Sequence, residues 1–234
     1  GGDKFEKLFE SMGDAQIESK MVTKSISQAQ KRVEGYNYDV RKQLLDYDDV
    51  LRKQREIMYE QRNFVLENED VHGIVRDMID RVIDSVVDAN VDHTRHDESV
   101  DYAGVLQGLE LLGLEEKDNL KLEEIQGKEK NDVTTYCAEK IFTLYDDKIK
   151  DIRDEFKQFE KTIVLRNMDR NWIEHIDIMD KLRNGIHLRS YAQNNPLQAY
   201  IQEGYEMFEE MQARIAREVV FFALKVQVER KVEN

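Results

Sequence analysis

The sequence predicts an all-α protein, and three observations carry that expectation. A single proline, Pro196, occurs in 234 residues, charged residues make up 36% of the chain, and apolar residues recur by threes and fours over long stretches. Helix-breaking punctuation is therefore rare, and the dominant period is that of an α-helix. Apolar content of 40% is enough to bury a core in one or two domains.

The elements follow in order. A short amphipathic lead (Phe5, Leu8, Phe9, Met12) breaks at Gly13. A long helix comes next: Ile26, Ala29, Val33, Tyr36, Val40, Leu44, Tyr47, Leu51 and Met58 step by threes, fours or their sum. The stripe predicts about 45 to 50 residues, roughly 70 Å at 1.5 Å per residue. Propensity does not stabilise so long a rod, so it is expected to act as a spine for other elements. Gly35 lies inside it, where close packing or a slight bend is expected.

A smaller helical unit is expected over 66–150. Apolar residues at 71, 74, 75, 78, 79, 82, 83, 86 and 87 form a wide stripe, and a weaker helix covers Val100 to Leu112 before Gly113. The stretch from Leu114 to Lys130 has no clear period. A returning helix is predicted from Val133 to about Phe159, with Tyr136, Ile141, Leu144, Ile149, Ile152 and Phe156 on its face.

A helical hairpin is predicted last. Leu165, Met168, Trp172, Ile176, Met179 and Leu182 line its first arm, which Gly185 is expected to terminate as a left-handed cap. Asn195 is placed as N-cap of the second arm, Pro196 as its first helical residue, and Gln198 at the capping-box position. Tyr205, Phe208, Met211, Ile215, Val219, Phe222 and Val226 define its expected face. The arms are expected to pack antiparallel and to fold back on the long helix. The domain expectation is 1–65 for the long helix, 66–150 for the small unit, and 151–234 for the hairpin segment.

Charge narrows the function. The formal net charge is −14, and between Leu66 and Lys130 seven Lys/Arg stand against eighteen Asp/Glu, a local balance of −11. Such a chain is not a dedicated nucleic-acid binder, which needs clustered cations to neutralise phosphates. No apolar run approaches a membrane span, and no signal sequence is recognisable. One cysteine, Cys137, excludes an internal disulfide framework and suits a reducing compartment. The start, Gly1-Gly2-Asp3, suggests a piece of a longer protein. No Gly-x-x-x-x-Gly-Lys-Ser/Thr loop occurs, so no triphosphate site of that kind and no ATP hydrolysis is expected of this chain.

Against this background the loop Gly185–Pro196 stands out. From Lys181 to Gln202 there is no acid, while Lys181, Arg183 and Arg189 are cationic and Tyr191 sits at the apex. A tyrosine on a rigid hairpin offers large contact area at small rotamer cost, suited to gripping varied sequence; the ordinary reading is packing on its own hairpin. Arg183 and Arg189 read either as solvated charges or as contacts to an anionic or carbonyl-presenting partner. Trp172 reads as core, and His175 as a satisfied structural histidine or a partner of the long helix. Arg41 reads as an exposed i,i+4 ion pair. His93 and His96 with Asp92 and Asp97 lack further ligands at metal-binding spacing, and Glu174-His175 lacks the second histidine of a zinc protease. No metal and no catalytic residue is expected. Cys137 is expected to be buried and inert.

Two long motifs resemble the SecA family, ATP-driven motors of bacterial preprotein export. Gln28-Ala-Gln-Lys-Arg-Val33 followed by Tyr38-Asp-Val-Arg-Lys-Gln-Leu-Leu-Asp-Tyr-Asp-Asp-Val50 is similar to that family's helical scaffold. Asn171-Trp-Ile-Glu-His175 with Met179-Asp-Lys-Leu-Arg-Asn-Gly-Ile-His-Leu-Arg-Ser-Tyr-Ala-Gln193 is similar to its two-helix finger. The acidic segment between them corresponds to the helical wing. The resemblance implies a non-catalytic, force-transmitting and regulatory part of an ATPase whose absent motor domains bind ATP and magnesium. It implies a fingertip (His187, Arg189, Ser190, Tyr191, Gln193) meeting the SecYEG channel and preprotein, with Arg41, Trp172 and Arg183 in coupling and regulation. It also implies a cytoplasmic location on the inner face of the membrane, with anionic lipid as a further candidate partner. Here Ser190 stands where many relatives have glycine, and Asn194-Asn195 replaces a more charged Lys-Asp pair. The family's cysteine-rich zinc segment is absent.

Two rival readings differ in outcome. A stand-alone helical adaptor predicts no effect of this chain on isolated motor domains, whereas the motor-part reading predicts suppressed ATP turnover. A metal-dependent hydrolase predicts stoichiometric metal in the purified chain.

Overall fold

The structure, a computed structural model, describes residues 20–92, 99–114, 118, 120–189 and 195–226. Among them the chain is all-α apart from one two-residue antiparallel ribbon. The elements are α1 (Lys20–Glu67), α2 (His72–Asp88), β1 (Val91–Asp92), β2 (Ser99–Val100), α3 (Tyr102–Glu110), α4 (Leu122–Ile125), α5 (Lys130–Ile149), a 3-10 turn (Lys150–Ile152), α6 (Arg153–Arg189) and α7 (Pro196–Lys225). The chain divides into two units, Gly1–Asp49 and Val50–Asn234.

In the first unit the described residues form the leading part of α1. This helix is 48 residues long in all, matching the length its periodicity predicts. Most of its stripe here faces solvent, with Tyr36 70% exposed and Ile26, Val33 and Leu44 exposed with it, whereas Tyr47 at the end of this part is buried. Gly35 has nothing within 4 Å of a Cβ position, so of the two expectations there, close packing or a slight bend, close packing is not found.

The second unit holds the core. From α1 it takes Met58 and Val65, from α2 Val75, Ile79, Val82 and Ile83, and from α5 Val133, Cys137, Ile141, Tyr145 and Ile149. Met211, Ile215, Val219 and Val220 of α7 belong to the same cluster. Helix α2 packs on both α5 and α7, which explains why its stripe is so wide. Asp101 caps α3 by accepting from the Gly104 amide at 3.1 Å, and Gly113 follows at φ +90, as a left-handed terminator.

One part of this core is polar. Glu160 on α6 is 1% exposed, and its Oε1 accepts from the Tyr145 hydroxyl at 2.7 Å and faces His72 Nδ1 at 2.7 Å. The His72 ring stacks on Tyr145 with centroids 5.7 Å apart, and Asp146 Oδ1 lies 3.3 Å from its other nitrogen. Burial, then the bond to Glu160, holds the Tyr145 hydroxyl protonated well above the usual phenol range, so it remains a donor.

The hairpin arms lie side by side and antiparallel. Asn171 meets Glu218, Glu174 meets Arg214, and Met179 meets Gly204, so numbers rise on α6 as they fall on α7. At the start of α7, Asn195 Oδ1 accepts from the Leu197 amide at 3.0 Å and Pro196 occupies the first turn, as the sequence predicts.

Three expectations need correction. Gly185 does not end the first arm: α6 continues to Arg189, because Ile186, 1% exposed, prolongs the buried stripe of Met179 and Leu182. The helix expected to run from Val133 to Phe159 is interrupted at 150–152, and Phe159 belongs to α6. The tighter 3-10 turn resets the rotation after buried Ile149, so that Phe156 again faces the core. On α7 the expected Phe208, Met211, Ile215 and Val219 are buried, but Tyr205 and Phe222 are exposed, and Tyr200 and Gly204 extend the buried face instead. The ribbon was not foreseen, since two residues per strand leave no alternation to read.

Candidate functional site: the clamp between the long helix and the hairpin

Three helices of the second unit meet at one buried amide. Gln54 of α1 is 6% exposed although it sits on the apolar stripe between Leu51 and Met58. Its Nε2 donates to the Gly204 carbonyl of α7 at 2.8 Å, and its Oε1 lies 2.9 Å from His175 Nε2 of α6. A carbonyl accepts only, so the amide nitrogen must face Gly204 and the amide oxygen must face the imidazole. His175 is thereby the donor through Nε2, in the neutral tautomer.

The surroundings enforce that state. Burial pushes the His175 imidazole down to about 4, and the nearby Arg214 guanidinium adds to the shift. Trp172 and Phe208 flank the ring, each with its centroid 5.7 Å away. Gly204 makes the junction sterically feasible. A Cβ there would lie 2.8 Å from Met179 Cε and 3.7 Å from Val50 Cγ1, so the absent side chain lets α7 approach both α6 and α1.

Further contacts continue the clamp along the same helices. Arg62 of α1 holds Asp169 of α6 through Nε at 2.8 Å and a second nitrogen at 3.3 Å. Gln212 of α7 donates to Gln61 of α1 at 3.0 Å. Between the arms, Asn171 donates to Glu218 at 2.6 Å, and Arg170 pairs with the same carboxylate. The site offers no nucleophile–base pair. Its role is structural: both arms are tied to one stretch of α1.

Trp172 is 8% exposed and packs beside His175 in this junction, as its core reading expects. His175 does pair with the long helix. Arg183 forms an exposed ion pair with Asp180 at 2.7 Å, the acid just before the acid-free stretch. Arg41 is exposed on α1, without the i,i+4 ion pair expected of it among the described residues. His187 and Arg189 fall on the last turn of α6. Ser190, Tyr191 and Gln193 lie outside the described residues, as do His93, His96 and Asp97. Cys137 is fully buried, and burial pushes its thiol up to about 11, so it is an unreactive core residue. Among the described residues no group of three or more His, Cys, Asp and Glu could hold a metal ion, and no helix is long and apolar enough to cross a membrane.

Gln54, Gly204, His72 and Glu160 were not singled out from the sequence. Gln54 left a trace: the step from Leu51 to Met58 is seven, and the stripe position between them is filled by this amide. Glu160 left none.

A long helix clamped to an antiparallel hairpin, with further helices between them in sequence, defines an all-α scaffold-type protein. The family model described as SecA Wing and Scaffold domain matches residues 16–227, and the chain belongs to that family. Membership gives it a role in protein translocation as a non-catalytic part of SecA.

Proposed function

We propose that this chain is the force-transmitting and regulatory part of an ATP-driven export motor, with ATP and magnesium held by motor domains elsewhere in the parent protein. In this reading residues 1–65 and 151–234 act as scaffold and finger, and 66–150 as wing. The scaffold helix passes nucleotide-driven movement to the hairpin. The hairpin passes it on through Tyr191, with His187, Arg189, Ser190 and Gln193 around it, to a SecYEG channel and a preprotein at the inner face of the membrane. Arg41, Trp172 and Arg183 serve the coupling.

The observation that supports this best is the Gln54 junction. One buried side chain bonds both hairpin arms to the same turn of α1, so displacing that turn carries the two arms together. A hairpin held by one arm alone would shear under load. The clamp also spends its polar groups on each other, leaving nothing for substrate chemistry.

The test uses isolated SecA motor domains with this chain added in trans. Association and reduced ATP turnover are expected, together with a weaker effect from Gln54→Leu, which removes both clamp bonds. Turnover unchanged at saturating chain counts against the reading.

A further inference from the structure

Helices α2 and α7 enclose a cleft beside the clamp, which shares Gln212 with it. Arg81 and Ser85 line it from α2, and Glu209, Gln212 and Arg217 from α7, around about 160 Å³. Neither arginine belongs to an ion pair among the described residues. Arg62, Arg153, Arg170, Arg183 and Arg214 each hold a carboxylate, while Arg41, Arg55 and Arg166, like Arg81 and Arg217, form no ion pair among the described residues. What sets Arg81 and Arg217 apart is that both line one cleft, in a chain of net charge −14.

A second hollow of about 380 Å³ adjoins the first, since Arg81 and Gln212 line both. Its other walls are largely apolar, with Met78, Val164, Met168 and Ile215 among them. That volume is near the lower end of the roughly 300–1,000 Å³ of ligand pockets, enough for side chains but not for a docked helix. Together the two hollows make a groove, apolar at one end and dicationic at the other.

The rim selects the kind of occupant. Glu60 and Asp77 border the apolar hollow, Glu209 borders the cleft, and Asp80 and Asp84 are exposed on the same helix as Arg81. A broad anionic surface such as a membrane would meet these carboxylates before the arginines. A slender chain carrying one carboxylate reaches the arginines without that repulsion, and rim acids can accept its backbone N–H groups.

We propose that this groove binds a peptide segment in which a large apolar side chain is followed closely by an acidic residue. The carboxylate sits between Arg81 and Arg217 in charge-assisted hydrogen bonds, and the apolar side chain fills the hollow over Met78, Met168 and Ile215. The inference goes beyond the translocation role and does not depend on it.

A fluorescein-labelled acetyl-Ser-Phe-Leu-Glu-Gly-amide peptide, titrated with the 234-residue chain and read by anisotropy, tests it. Saturable binding is expected, weakened about tenfold or more when the peptide's glutamate becomes glutamine. Arg81→Gln and Arg217→Gln should weaken it comparably. Ala213→Glu, at an exposed position on the cleft wall, should do so as well by giving the arginines an internal carboxylate. Circular dichroism establishes that each variant is folded. Equal affinity for the two peptides, or no saturation by millimolar chain, overturns the proposal. So do phosphatidylglycerol vesicles that bind in an arginine-dependent way while the peptide does not, since the arginines would then belong to a membrane contact.

Discussion

His72 and Glu160 lie 88 residues apart in sequence, yet His72 Nδ1 and Glu160 Oε1 are 2.7 Å apart in the core. The same oxygen accepts from Tyr145, so one carboxylate joins the starts of α2 and α6 to the end of α5. A buried carboxylate is tolerated only with such partners, and its partners depend on it equally. Glu160→Ala therefore strands an imidazole and a hydroxyl in the core. A loss of about 3–5 kcal/mol is expected in urea unfolding. A loss within a few tenths of a kcal/mol would show that the cluster does not organise the core.

At the clamp, Gln54 and His175 should be energetically coupled. A double-mutant cycle with Gln54→Ala and His175→Ala is expected to return about 1 kcal/mol of interaction energy, each single variant being clearly destabilising. Strict additivity would mean that the 2.9 Å contact contributes nothing of its own.

The same histidine makes stability depend on pH. Its folded-state value of about 4 lies below the ordinary 6.5, so the unfolded chain takes up a proton first as pH falls. The contribution is fully present above 6.5 and is lost progressively between 6.5 and 4, at most about 3 kcal/mol. Melting curves across that window should fall more steeply for the native chain than for His175→Gln, which does not titrate. Parallel curves would refute the assignment.

Gly204 separates mild from severe crowding. In Gly204→Ala the new methyl meets the mobile end of Met179, which can rotate away, so a change within about 1 kcal/mol is expected. Gly204→Leu has no such relief between α1, α6 and α7, and a loss of about 2–3 kcal/mol is expected. Equal thermal shifts for the two would mean that the helices are not in close approach there.

Tyr191→Ala in a complete SecA is expected to reduce transport into channel-bearing vesicles while leaving the melting temperature within about a degree or two, as the sequence-predicted loop position implies. Full transport by this variant removes Tyr191 from the proposed contact.

Much of this architecture was legible in residue order alone. The period of three and four located α1, α2, α6 and α7, and the Asn195-Pro196 pair marked the start of the last helix, because these are local preferences of a few neighbouring residues. Gly185 shows where local reading stops. A glycine near the end of a stripe is a reasonable terminator, but burial of Ile186 carries the helix one turn further. Tyr205 and Phe222 show the same limit, as large apolar residues that periodicity assigns inward and packing leaves outside. The apex itself remains a sequence expectation, resting on charge and on resemblance.

By itself, then, the sequence determined the helical class, the long rod, the hairpin and the family motifs, since period and capping act over a handful of residues. Only the tertiary structure decided which part of the α1 stripe is covered, and which polar groups belong inside. The bond from Gln54 to Gly204 spans 150 residues and that from His72 to Glu160 spans 88. A buried donor or acceptor is stable only if its partner arrives from another helix, and no local pattern records that arrival.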